Sequence, residues 1–210
     1  MSILLDKLNK DIIYSICLKS NFEEIINLSK TSKYFKEVID ENSDFIYKNL
    51  AKKDFGYKYL PEEMSWKEFY QTCKTINLNG TWSIKNEMYD NNNELLEQAY
   101  KIVIKLDENG EFKYNGKIDY TNIPGIPDIN FEMIGKIHKS ENMRLECKMT
   151  FHSKIDNNDY TLGSSIFDGF ISFYSYNQNK KILIHGLFTF NNYIIQQNTY
   201  GITYGERVSD

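Results

Sequence analysis

Residues 100–114 read YKIVIKLDENGEFKY, and this stretch decides the fold class of the larger, C-terminal part of the chain. From Tyr100 to Leu106 every second residue is apolar, which is the period of a β-strand with one buried face. The polar residues 107–110 that follow are typical of a tight turn. Alternation resumes at Phe112. The pattern predicts an antiparallel hairpin.

The same period of two extends through the chain beyond residue 78, as in the apolar face of residues 145–151. It predicts about eight to ten strands. Four of these segments carry a glycine two places before a large apolar residue, and glycine permits the bends that let a sheet coil and close. We therefore predict an antiparallel β-barrel or a strongly coiled β-sandwich, with the barrel favoured. The four glycines are Gly116, Gly135, Gly169 and Gly186.

Before residue 76 the apolar residues recur at the spacing of helices, as in Ile12, Ile13 and Ile16. Polar residues that can cap helices separate the apolar runs. The chain is therefore predicted to be α+β, with a small all-α module over residues 1–56, a helical linker over 57–76 and the β domain over 77–210. The candidate caps are Ser20 or Asn21, then Ser32, then Ser65 with Glu68.

Composition limits the classes of function. No apolar run approaches the ~20 residues of a membrane helix, and charges interrupt residues 1–17, unlike the apolar region of a signal peptide. Residues 1–75 carry 12 basic and 12 acidic groups and residues 76–210 carry 13 and 17, so neither part has a basic stripe for nucleic acid. We expect a soluble intracellular protein, cytoplasmic or nuclear, that binds neither membrane nor nucleic acid.

Residues that would carry chemistry are scattered. The sequence has no GxSxG motif, P-loop or dinucleotide fingerprint. Three cysteines far apart fit reduced thiols, and His138, His152 and His185 lack the spacing of metal ligands. Acidic residues such as Asp156 and Asp159 fit a polar turn better than a calcium loop. We predict that the protein is not an enzyme and that it has no cofactor and no metal site.

The order of residues in the helical module resembles an F-box. That family has a leucine and a short polar stretch that open the first helix, a hydrophobic second helix, a V-S-K-x-F/W-type segment and an L-W pair that begins the last helix. Asn9 stands where the family usually has proline, and Tyr47 where it usually has tryptophan. The matching segments are 8–13 (LNKDII), 22–28 (FEEIINL), 31–36 (TSKYFK) and 46–50 (IYKNL), trailed by 53–56 (KDFG) and 65–70 (SWKEFY).

The resemblance implies a substrate-recognition adaptor of an SCF ubiquitin ligase. In that role the helical module docks on the S-phase-kinase-associated linker protein and brings a protein substrate, held by the β domain, to the cullin complex. The resemblance does not separate residues of the interface from residues whose packing shapes it, and a purely local helical core is the alternative. By position the implied residues are Leu8, Asn9, Ile12, Ile13, Leu28, Phe35, Ile46 and Tyr47.

A second resemblance lies at residues 78–82, LNGTW. A Gly-x-Trp at the start of a first strand is similar to the opening of lipocalin-type barrels, in which the tryptophan plugs the closed end. An ordinary core tryptophan is the equal alternative. The lipocalin resemblance implies a different function, that of a small-molecule or lipid-binding protein with a helical cap. A structural interaction module is a third possible function.

The longest predicted loops are candidates for recognition of the substrate. They span residues 90–98, where a turn of helix over 93–98 is also compatible with the sequence, and 120–129. The second combines polar groups with apolar and proline residues. Its candidate contact residues are Ile123, Pro124, Ile126, Pro127 and Ile129.

Overall fold

The computed structural model of the chain describes residues 8–60, 64–89, 95–118, 129–155, 158–176, 179–193 and 197–209. The chain divides into two compact units, Met1–Ile76 and Asn77–Asp210. The first unit is helical and the second is a β-sheet, so the predicted α+β class, with a helical module followed by an antiparallel barrel, is confirmed.

The described residues of the first unit form five helices, and polar caps set their boundaries. Asn21 and Glu24 form a capping box in which each side chain accepts a hydrogen bond from the other residue's backbone N–H. Gly56 ends the fourth helix in a left-handed conformation, with φ of 77°. The helices are α1 (Lys10–Lys19), α2 (Phe22–Thr31), α3 (Lys33–Glu41), α4 (Ser43–Phe55) and α5 (Trp66–Thr75).

The predicted caps of α3 and α5 are confirmed, because each capping side chain accepts a hydrogen bond at the start of its helix. Ser32 accepts from the backbone N–H of Phe35 at the start of α3, and Ser65 accepts from the N–H of Glu68 at the start of α5. Helix α1 contacts α3 and α4, and α4 contacts α5. None of the helices described here is long and apolar enough to cross a membrane.

The second unit is one eight-stranded antiparallel sheet in the order β2-β1-β8-β7-β6-β5-β4-β3. Its end strands β2 and β3 contact each other, so the sheet curls into a nearly closed barrel. The strands are β1 (Gly80–Tyr89), β2 (Leu95–Ile104), β3 (Glu111–Ile118), β4 (Ile129–His138), β5 (Arg144–Ile155), β6 (Asn158–Tyr176), β7 (Asn179–Asn192) and β8 (Gln197–Ser209).

Residues 100–114 form the predicted strand, turn and strand, but the predicted hairpin pairing is wrong. Strand β2 pairs with β1, and β3 pairs with β4. Strands β2 and β3 are joined by one turn, but they are the first and last strands in the order of the sheet. Alternation within each strand could not reveal this, because it depends only on which face is buried.

A further correction concerns residues 95–98, which were predicted as part of a loop with a possible helical turn. They belong to β2, where Leu95 lies opposite Tyr89 and Gln98 opposite Asn86. Residues 90–94 lie outside the described residues.

Two of the predicted barrel glycines face each other. Gly169 on β6 is the register partner of Gly186 on β7, and a Cβ at either position would collide with the backbone of the other strand and with the ring of Phe167. At Gly116 and Gly135 the space of a side chain is taken by the rings of Phe131 and Phe112. Glycine therefore lets large rings fold over the sheet inside the barrel.

Candidate interaction surfaces

Four of the eight residues that the F-box resemblance implies belong to the helical core. Ile13, Phe35, Ile46 and Tyr47 expose at most a few per cent of their surface. Side chains this buried cannot reach a partner without rearrangement. Within the helical unit they support the surface rather than form it.

Tyr47 lies in an aromatic cluster. Its ring centroid is 5.8 Å from that of Tyr70 on α5 and 6.4 Å from that of Phe22 on α2, and the ring of Phe55 is 5.5 Å from Tyr70. The Tyr70 hydroxyl donates a 2.5 Å hydrogen bond to Asp54. Burial and this carboxylate raise the pKa of Tyr70 well above its ordinary value. Tyr47 thus joins α2, α4 and α5.

The other four implied residues are at least partly accessible. Asn9 is exposed and caps α1 by accepting from the N–H of Asp11 at 3.1 Å. Leu8 is half-buried, and its carbonyl accepts from the Tyr34 hydroxyl at 3.1 Å. Leu28 is half-buried, and Ile12 is 49% exposed. Only these four could contact a partner directly.

One further apolar residue lies beside Ile12 and was not among the predicted residues. Ile16 is 41% exposed and follows Ile12 by four positions, so both lie on one face of α1. We call Ile12 and Ile16 the α1 stripe. On the opposite flank of α1, Tyr14 packs on the exposed ring of Phe45, with the centroids 5.5 Å apart. The i, i+4 spacing was visible in the sequence, but the buried side of the helix was not.

Most of the predicted substrate-contact residues lie outside the residues that the structure describes. Ile123, Pro124, Ile126 and Pro127 lie outside the described residues. Ile129 does not lie in a loop, because it is the first residue of β4, where it pairs with Ile118 on β3 and Ser153 on β5. It is half-buried.

The inside of the barrel is closely packed. Trp82 is fully buried, lies opposite Ile102 and Arg207 in the register, and donates its indole N–H to the Leu78 carbonyl at 3.2 Å. The cavity between the inner side chains of the barrel leaves only about 20 Å³ for the centre of a water molecule. This is room for about one water, whereas pockets for drug-sized ligands have several hundred Å³. This cavity is too small for a lipid.

This small cavity is bordered by a polar network. The Thr203 hydroxyl donates to Asn86 Oδ1 at 2.8 Å, and Asn86 Nδ2 lies 3.3 Å from the Tyr100 hydroxyl. Burial raises the pKa of Tyr100. The network satisfies polar groups between β1, β2 and β8 in an otherwise apolar interior.

The three histidines have separate neighbours. His138 lies 3.1 Å from Glu146, His152 lies 3.3 Å from Thr161 and His185 lies 3.2 Å from Ser172. Among the residues that the structure describes, no three or more histidine, cysteine or acidic residues are grouped as metal ligands.

The outer face of β6, β7 and β8 carries an exposed apolar cluster. Leu187, at the centre, is 68% exposed and lies opposite Ile202 on β8. We call this cluster the barrel patch; its members are Ile166, Phe170, Leu187, Tyr200, Ile202 and Tyr204. The alternation of each strand was visible in the sequence, but the register that brings these residues together was not.

Comparison of the chain with protein-family models, with curated proteins and with solved structures found no match.

Proposed function

We propose that the protein is a non-enzymatic adaptor of the F-box type, in which the helical unit docks on the linker protein of an SCF ubiquitin ligase and the barrel unit holds a target protein. The ordered segments of residues 8–50 that resemble an F-box motivate the proposal. The partners it requires are the S-phase-kinase-associated linker protein, the cullin complex behind it and a protein substrate.

The observation that carries the proposal is the α1 stripe. Ile12 and Ile16 leave 49% and 41% of their surface in water, although neighbouring Ile13 and Cys17 are fully buried in the same helix. Leaving two aliphatic side chains of one helical face in water costs about 1 kcal/mol or more relative to burial. An apolar groove on a partner would recover this free energy.

The position of the stripe agrees with the resemblance. Ile12 is one of the residues that the family motif implies, and the half-buried Leu8 precedes it by four residues. Phe35 on α3 and Ile46 and Tyr47 on α4 are buried, and both of these helices contact α1. In the proposed role, Leu8 and Ile12 would contact the partner, and the buried residues would support the helix that carries them.

Co-purification with the linker protein tests the proposal. We expect the wild-type chain to bind, and we expect Ile12→Asp and Ile16→Asp each to weaken binding by about 100-fold, because a carboxylate would enter an apolar contact. Both side chains are solvent-exposed in the free protein, so the substitutions should leave the helical circular dichroism unchanged.

Leu187→Asp is the matched control, since Leu187 is also an exposed aliphatic residue, even more exposed than Ile12 and Ile16, but lies on the barrel. It should bind the linker protein as the wild type does. Tyr47→Ala is a poor test, because it would open a hole in the aromatic cluster. The proposal is refuted if the wild type does not bind the linker protein, or if Ile12→Asp and Ile16→Asp bind as well as the control.

A further inference from the structure

The barrel patch has a geometry that isolated surface residues lack. Leu187 has Ile202 directly opposite on β8. Across β6 its partner is Asp168, so Ile166 and Phe170 are its two diagonal neighbours there. On β8 Tyr200 and Tyr204 flank Ile202 in the same way. Side chains in direct and diagonal positions on one face of a sheet are within reach of one another, so the patch is continuous.

The patch is large for a surface that faces water. Its members are 41–69% exposed, which at about 200 Å² for a large side chain leaves on the order of 600 Å² of side chain in water. This is at the upper end of what soluble monomers expose in one apolar patch. A standard stable interface covers about 800 Å² per partner, so the patch and a narrow rim would suffice for one.

Charges next to the patch are paired within the chain. Arg144 makes two hydrogen bonds to Asp168, at 2.8 and 2.9 Å, and its guanidinium holds the pKa of that carboxyl below the ordinary value. On the other side Lys85, opposite Tyr204, contacts Glu87 at 2.9 Å and Glu97 at 2.8 Å. Arg144 also contacts Glu146 and Glu141. These groups therefore contain more carboxylates than cations, but each carboxylate contacts a cation of its own chain.

The pairing of charges matters because a surface that docks on an identical surface meets its own charges. Carboxylates that each contact a cation of their own chain repel those of an identical copy less than unpaired carboxylates would. Lys148, opposite Ile166 on β5, lies at the margin, two strand spacings or about 10 Å from Leu187. A two-fold axis near Leu187 would therefore bring apolar groups together and keep the two Lys148 side chains apart.

Next to the patch the same face has a depression. An open groove borders it along His185 and Tyr204 and continues to Leu183 and Val208, with space on the order of a large side chain or more. With the two-fold axis near Leu187, this groove would lie at the margin of the interface, because Leu183 is four residues, or about 13 Å, from Leu187 along β7.

We propose that the barrel patch is the interface of a two-fold symmetric homodimer, with a second copy of this chain as its occupant. Leu187 and Ile202 lie nearest the axis, and Phe170, Tyr200 and Tyr204 surround them. This inference does not rest on the adaptor function, because it concerns the barrel alone.

Sedimentation equilibrium of the full chain over a range of concentrations tests the dimer. We expect the wild type to be dimeric and Leu187→Asp to dissociate at least about 100-fold more readily, because two carboxylates would face each other in an apolar contact. Ile134→Asp is the matched control, since Ile134 is 54% exposed on the outer face of β4, outside the patch. It should dimerise as the wild type does.

Cross-linking provides a second readout that does not depend on affinity. A cysteine introduced at Leu187 should form an intermolecular disulfide under mild oxidation, and one introduced at Ile134 should not. A wild type that remains a monomer at its highest soluble concentration overturns the proposal, as do equal effects of Leu187→Asp and Ile134→Asp. Because Leu187→Asp is expected to keep linker binding, the two proposals can fail independently.

Discussion

Gly169 and Gly186 show how one atom at a single position can decide the packing of the sheet. They are register partners on β6 and β7, and the ring of Phe167 lies over both. The sequence indicated that these glycines allow curvature. It did not indicate which ring fills the space, because that depends on the pairing of strands distant in the chain.

Replacing Gly169 with alanine should destabilise the barrel by about 1–3 kcal/mol. The new Cβ would meet the His185 carbonyl and the Gly186 Cα, both in backbone that cannot move without disturbing the β6–β7 ladder. Urea unfolding followed by tryptophan fluorescence measures the loss. Lys148→Ala, at an exposed position of β5, should cost little, and equal effects of the two variants would contradict this account.

The Cys73 thiol predicts a dependence of stability on pH. Burial raises its pKa to about 12, whereas in the unfolded chain the thiol ionises near pH 9. Above pH 9 the unfolded state therefore binds fewer protons than the folded state, and stability falls as pH rises toward 12, by about 1 kcal/mol per pH unit. The stability of the helical unit, followed by circular dichroism at 222 nm, should decline between pH 9 and 10.

Cys73→Ala supplies the control for this decline. The variant should be less stable at pH 8, because the buried thiol is lost, but its stability should change less between pH 9 and 10. An identical decline in both proteins would show that another group causes it.

Among the helices and strands, local signals predicted the ends of helices better than the partners of strands. Asn21, Ser32 and Ser65 cap helices as expected, because a cap depends on residues within one turn. The 100–114 segment formed its strands and turn but not its hairpin, because β2 and β3 each found a different partner.

Helix α2 should depend measurably on its capping box. Asn21→Ala removes the acceptor of the Glu24 N–H, with a bond of 3.0 Å, and should cost the helical unit about 1 kcal/mol. Asn27→Ala, at an exposed position within the same helix, should be neutral or slightly stabilising, since alanine favours helix. Chemical denaturation of both variants compares them, and an Asn21→Ala variant as stable as Asn27→Ala would disprove the role of the cap.

For the whole molecule, the change of period near residue 76 predicted a boundary, and the structure divides the chain between Ile76 and Asn77. The contact residues were harder to predict. Ile13 and Tyr47 looked equivalent to Ile12 in the sequence, and only the packing separates a buried position from an exposed one. The barrel patch was missed because its members come from three strands.

The barrel unit should fold without the helices. Asn77–Asp210 contains the eight strands of the described residues, and its core includes Trp82, Phe131 and Phe188. Expressed alone, this fragment should give a β-type circular dichroism spectrum and one cooperative unfolding transition. A fragment that lacks a cooperative transition would show that the barrel needs the helical unit to fold.

The pairing of β1 with β8 has a consequence for synthesis. The hydrogen bond from Thr203 to Asn86 joins residues 117 positions apart, so β1 has only β2 to pair with until β8 has left the ribosome. Two strands alone are marginally stable in water. Long-range pairing of this kind slows folding, and during that delay the nascent barrel exposes strand edges that chaperones recognise and that aggregation exploits. One edge of β1 therefore stays unpaired until β8, the last strand of the barrel, has been synthesised.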